Sequence, residues 1–93
     1  MAEQSKEILI QNELGLHARA ASKLVQLAAT FTVDLKIGRP DMMVDGKSIM
    51  GVLMLAACRG TKLTLTAVGD DDSCAAAIAA ITALVDDKFG EGR

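Results

Sequence analysis

The chain has 93 residues, is 51% hydrophobic but only 2% aromatic, and carries 10 basic against 12 acidic side chains, a net charge of −2. That length suits one domain able to bury roughly two-thirds of its unfolded surface. The composition argues against a stacking platform for single-stranded nucleic acid and against the basic footprint that binding to phosphate backbones requires.

The N-terminal MAEQSKEILI lacks the basic-then-apolar order of a secretion signal, so a soluble, cytoplasmic protein is expected. KEILI, β-branched and apolar, predicts a first strand from about Lys6 to Gln11. Asn12 to Leu16 form a loop containing Gly15. From Ala18 onward, Ala21, Leu24, Val25 and Ala28 recur at helical spacing, with Lys23 and Gln26 on the other face. This helix should end near Thr30, where TFTV switches to strand preference. Val33, Leu35 and Ile37 then alternate with Thr32, Asp34 and Lys36, the pattern of a half-buried strand. Gly38-Arg39-Pro40-Asp41 has turn chemistry, and MMV is a short return strand closed by Asp45-Gly46.

Ser48 can cap a short helix whose apolar residues are Ile49, Met50, Val52, Leu53 and Met54. The run IMGVLMLAAC reaches only about half of a bilayer span, so it reads as a buried or interfacial helix with no membrane insertion. Gly60 interrupts, and KLTLTAV alternates again with Leu63, Leu65 and Ala67 facing in. Asp70, Asp71 and Asp72 open a last helix, where their charges complement the helix dipole. That helix carries Ile78, Ile81, Leu84 and Val85, and Gly90 stops it. No repeat or linker divides the chain, so residues 1–93 form a single domain. The order βαββαβα, with two half-polar strands, predicts an α+β two-layer sandwich with one sheet face open.

Cys58 and Cys74 lie far apart without a C-x-x-C, and the chain has one histidine, so no metal site and no cofactor are expected. The cysteines read as small buried or half-buried hydrophobes in a reducing compartment. The lone histidine, His17, has a plain reading as a surface polar residue. Its position says more. It stands at the predicted N-cap of the first helix, a place normally taken by Ser, Thr, Asp or Asn. The backbone N–H groups of Ala18 and Arg19 point outward there, with the positive end of the helix dipole behind them, which makes an anion site. Arg19 in the first turn opposes the dipole, at a cost of about a few tenths of a kcal/mol unless an anion visits. The combination is a nucleophile beside an anion cradle, able to hold the oxygens of a phosphoryl group on a ring nitrogen.

GLHARAASKLV resembles the active-site signature of the HPr family, the histidine-containing phosphocarriers of the bacterial phosphoenolpyruvate-dependent sugar phosphotransferase system. DGKSIMGVLMLAACRGTKLTL resembles that family's second signature, around a regulatory serine. The likeness runs from about Lys6 to Phe89. It implies an antiparallel sheet in the order 1-4-2-3 with three helices on one side. It also implies His17 as phosphoryl acceptor and donor through Nδ1, Arg19 as its partner in stabilising the phosphate, and Ser48 as the target of an HPr kinase/phosphorylase. The family usually has proline where this chain has Ala20. Alanine is the best helix former, so the first turn should survive, and partner preference is affected more than chemistry.

Met50, Gly51, Leu53 and Met54 are the candidate docking residues. Their plain reading is core filler, and exposed near His17 they would form an adaptable patch for several partners. The expected partners are enzyme I, enzyme IIA domains and the HPr kinase/phosphorylase, with no nucleic acid, and a monomer is expected. The alternative is a nitrogen-branch or purely regulatory phosphorelay module that signals metabolic state by binding other proteins. GKSIMGV argues for the kinase-regulated form, whereas Ala20 separates neither branch.

Overall fold

The computed structural model describes residues 1–93. Its elements are β1 (Ala2–Leu9), α1 (Ala18–Ala28), β2 (Asp34–Arg39), β3 (Met42–Asp45), α2 (Ile49–Met54), β4 (Lys62–Gly69) and α3 (Asp71–Asp86), followed by a 3-10 turn at Lys88–Gly90. The four strands form one antiparallel sheet in the order β1-β4-β2-β3.

Period-two alternation decides which sheet face is covered. Ile8, Leu35, Ile37, Leu63, Leu65 and Ala67 are buried on one face, while Ser5, Glu7, Asp34, Lys36 and Lys62 are exposed on the other. The helices therefore lie on one side, with α3 across β1 and β4, and α1 beside α3 and α2. The apolar layer between them joins 22 buried residues, mostly aliphatic, with Phe89 the largest side chain fully enclosed. No helix is long and apolar enough to cross a membrane.

Three boundaries differ from expectation, each for a physical reason. β1 begins at Ala2, not Lys6, because β4 offers partners along the whole segment from Ala2↔Gly69 to Leu9↔Lys62. Its polar start is satisfied laterally: Gln4 Nε2 donates to Asp71 Oδ1 at 2.7 Å, and the Ser5 and Thr66 hydroxyls meet at 3.0 Å. Ile10 leaves the strand but stays tied to the opposite loop, donating to the Thr61 carbonyl and accepting from the Gly60 N–H.

β2 starts at Asp34 and runs through Gly38 to Arg39, so the turn is tighter than GRPD suggests. A Cβ on Gly38 would lie 2.0 Å from the Met42 carbonyl oxygen, so only glycine lets the two strands approach there. Arg39 Nη1 then donates to the Leu55 carbonyl at 2.9 Å, placing a cation at the C-terminal end of α2, where the dipole favours it.

α3 opens at the three aspartates as expected, with Asp71 and Asp72 in the first turn, and Asp70 caps it, its Oδ2 accepting from Ser73 N–H at 3.0 Å. It ends at Asp86, however, well before Gly90. Lys88 and Phe89 both take φ of 55°, the left-handed region that costs non-glycine residues about 1–3 kcal/mol. The turn drives Phe89 into the core, where it is 0% exposed. Burial of the ring offsets the backbone strain.

Candidate functional site

His17 is the N-cap of α1, with extended backbone (φ −77°, ψ −179°) and no side-chain cap bond. Its carbonyl accepts from Ala21 N–H at 2.8 Å, so the helix is closed without using the imidazole. The amides of Ala18 and Arg19, as first-turn groups, have no intrahelical carbonyl to bond. Arg19 and Ala18 are exposed, while Ala20 and Ala21 are fully buried beneath them. The site residues predicted around His17 therefore meet at one helix start.

The preceding loop is docked, which fixes where the ring sits. Gly15 N–H donates to Asn12 O at 3.1 Å, and Leu16 N–H donates to Ala57 O at 2.8 Å. Gly15 has φ +67°, and a Cβ there would lie 2.4 Å from the Ala57 carbonyl oxygen, so this contact needs glycine. The start of α1 is thereby tied to the chain just beyond α2.

Glu91 is the functional neighbour that sequence reasoning missed. Its Oε2 lies 2.5 Å from His17 Nε2, and its Oε1 accepts from Asn12 Nδ2 at 2.9 Å. Asn12 is itself 0% exposed and also donates to Gly15 O at 2.8 Å. The Glu91 side chain is 7% exposed and that of His17 28%. Burial pushes the Glu91 carboxyl up, but the bonds from Asn12 and His17, with the charges of His17 and Arg19, outweigh it and hold the group below its usual range. It is therefore ionised at neutral pH. An ionised carboxylate only accepts hydrogen bonds, so Nε2 is the nitrogen that donates to it, and in the neutral ring Nδ1 carries the lone pair. Nε2 makes the ring's one hydrogen bond, which leaves Nδ1 open.

The C-terminal segment that delivers Glu91 is anchored twice. Phe89 is sunk in the core, and Lys23 Nζ on α1 donates to the Phe89 carbonyl at 2.6 Å. The only sequence signal for this was a large apolar residue between Lys88 and Gly90, past the last helical turn.

Ser48 lies elsewhere. Its Oγ accepts from Gly51 N–H at 3.1 Å, making it the cap of α2 as predicted. Lys47 Nζ donates to Phe31 O at 2.7 Å, just past the C-terminal end of α1. α2 therefore runs antiparallel to α1, and the length of α1, about 16 Å, separates Ser48 from the His17 end. Of the docking candidates, Met50 and Met54 are 68% and 65% exposed. Leu53 packs partly on the core, and Gly51 is half-buried against Val44. Ile49 and Leu14 add exposed apolar surface that the sequence reading did not include. Cys74 is fully buried, and burial, with Asp71 and Asp70 nearby, pushes its thiol up. Cys58, expected to be buried or half-buried, is exposed, because it sits in the turn before Gly60 and not on α2.

Residues 4–87 match the family model described as "PTS HPr component phosphorylation site". The chain is 49% identical over 89 residues to the phosphocarrier protein HPr of Pseudomonas putida, covering 95% of this chain and 97% of that one. It is 42% identical over 91 residues to the phosphocarrier protein NPr of Shewanella violacea, covering 98% of each. The fold is similar to the crystal structure of HPr-C-His from Thermoanaerobacter tengcongensis, with a TM-score of 0.88 at 39% identity over 95% of this chain and 97% of that one.

Proposed function

This chain belongs to the HPr family of phosphocarrier proteins of the phosphotransferase system, and we propose that it accepts a phosphoryl group from phospho-enzyme I on His17 Nδ1 and passes it to sugar-specific enzyme IIA domains. The observation that carries this reading is the His17–Glu91 contact at the start of α1, which occupies Nε2 and leaves Nδ1 without a hydrogen-bond partner. The Nδ1 lone pair forms the new N–P bond as the bond from phosphorus to the enzyme I histidine breaks, and that electron pair returns to the departing ring. The Ala18 and Arg19 amides and the Arg19 guanidinium balance the charge of the transferring group. The chain works as a monomeric co-substrate in the cytoplasm, without turnover of its own. Positioning and charge stabilisation are nearly all such a transfer needs.

Met50 and Met54, with Leu53 and Gly51 beneath them, form the docking surface, and Ser48 at its far end is the target of an HPr kinase/phosphorylase. The test is incubation with phosphoenolpyruvate, Mg²⁺ and enzyme I, followed by intact-mass measurement. The reading expects one acid-labile phosphate that His17→Ala does not acquire. Phosphate gained by that variant from enzyme I would contradict it.

The nitrogen-branch reading draws on the likeness to the Shewanella violacea NPr. Transfer from the phosphorylated protein to sugar-branch and nitrogen-branch IIA domains, measured side by side, separates the two: the sugar-branch reading requires the first to be faster.

A further inference from the structure

Glu91 does more in this geometry than select a tautomer. Once phosphate is on Nδ1, the ring either keeps its Nε2 proton and is cationic, or loses it and is neutral. Onward transfer breaks the Nδ1–P bond and returns its electron pair to the ring. From the protonated ring the leaving group is neutral imidazole; from the deprotonated ring it is imidazolate, a far stronger base and a poor leaving group.

Resting on the relay reading above, we propose that Glu91 is a positioning residue for the donor half of the cycle: by accepting the Nε2–H bond it keeps that proton on the phosphorylated ring, so that neutral imidazole departs when the acceptor attacks. The same bond serves both directions, since the Nε2 proton never has to move. The acceptor's nucleophile forms its bond to phosphorus as the Nδ1–P bond breaks, and His17 ends in the state in which it began.

The placement of the carboxylate supports this role. Glu91 is held from three sides: Asn12 grips its second oxygen, Phe89 anchors the segment in the core, and Lys23 clamps the Phe89 carbonyl. A carboxylate at 7% exposure directed at a ring nitrogen acts with little solvent screening. The other charged groups around this helix start are more open. Arg19 comes from α1 and is exposed. Glu13 of the preceding loop is 57% exposed and pairs with Arg93 at 3.8 Å. The loop after α2, packed on this one through Leu16 and Ala57, brings exposed Cys58 and Arg59. None of these meets Nε2.

The test phosphorylates wild type, Glu91→Gln, Glu91→Asp and Glu13→Gln with enzyme I, then follows the Nε2 titration of phospho-His17 by 15N NMR and the rate of transfer to an enzyme IIA domain against pH. In Glu91→Gln the midpoint should fall by about one pH unit, and above it transfer should fall about tenfold. The first phosphorylation should change less. Glu91→Asp, which keeps the charge one methylene further away, should give a midpoint between the two, and Glu13→Gln should leave it in place. An unchanged midpoint in Glu91→Gln, or an equal shift in Glu13→Gln, overturns the proposal. Failure of wild type to take phosphate on His17 overturns the relay reading and this inference together.

Discussion

Ser48 and His17 cap two antiparallel helices at opposite ends of one surface, with the exposed side chains of Met50 and Met54 between them. On the proposed docking surface, a partner that reached His17 would also cover Ser48. A phosphoserine brings nearly two negative charges to the start of α2 without touching the reacting ring. Against an acidic partner face, like charges brought together cost several kcal/mol. Ser48→Asp should therefore keep the circular dichroism spectrum while sharply slowing phosphorylation of His17 by enzyme I. Genuine phosphoserine should inhibit more, and added salt should partly relieve both. Wild-type rates for both forms would reduce Ser48 to a helix cap.

Arg19 should matter to transfer far more than to folding. Its side chain is exposed and makes no hydrogen bond within the protein, so the guanidinium is free to answer charge that arrives with the phosphate. Arg19→Ala should slow transfer at least ~10-fold, about 1.4 kcal/mol of barrier, with little change in Tm. Parallel losses in Tm and rate would make it a structural residue.

Phe89 links the core to the site. Replacing this fully buried ring by alanine should destabilise the domain by about 3–5 kcal/mol. Tm should then fall by more than about 10 °C. Because the ring anchors the segment that carries Glu91, the surviving folded protein should also transfer phosphate more slowly than wild type at the same temperature. A large drop in Tm with unaltered transfer by the folded fraction would show that Glu91 finds its place without the anchor.

What could be read in advance follows the physics of periodicity. Leu35 and Ile37, Leu63 and Leu65, and the Ala21–Leu24–Ala28 stripe each declare a buried face through local spacing, and the structure buries all of them. Helix starts were equally legible: His17 and Ser48 were expected as N-caps, and the aspartates from Asp70 open α3 where the sequence places them. The strand order 1-4-2-3 did not come from periodicity but from the likeness to the phosphocarrier family, because alternation says which face is buried and not which strand is next. The polar AEQS half of β1 was silent since its outer face needs no apolar residue and Gln4 is satisfied by Asp71, 67 positions away. Glu91 was silent for the same reason. Its meeting with His17 spans 74 positions, and a carboxylate near a chain end reads as solvated until Phe89 is seen to pull the segment inward.

The depressed Glu91 carboxyl makes a signed prediction about acid stability. A group whose pKa is lower in the folded chain adds stability above its unfolded value, near 4.3 for glutamate, roughly. That contribution disappears as pH falls through the folded value. Denaturant titrations should show wild type more stable than Glu91→Gln at neutral pH, with the gap closing as pH falls below about 4. A gap that widens on acidification would mean that burial, and not the bonds from Asn12 and His17, dominates at this carboxylate.

On this mechanism His17 reacts through Nδ1 while Nε2 keeps its proton and donates it in a hydrogen bond to Glu91. Two-dimensional 1H–15N NMR of the protein before and after phosphorylation by enzyme I reads both atoms at once. The expected result is an Nε2–H tautomer for the neutral ring of the unmodified protein, then coupling to phosphorus at Nδ1 with the proton still on Nε2. Phosphorus coupled to Nε2, or an Nδ1–H tautomer in the free protein, would contradict it.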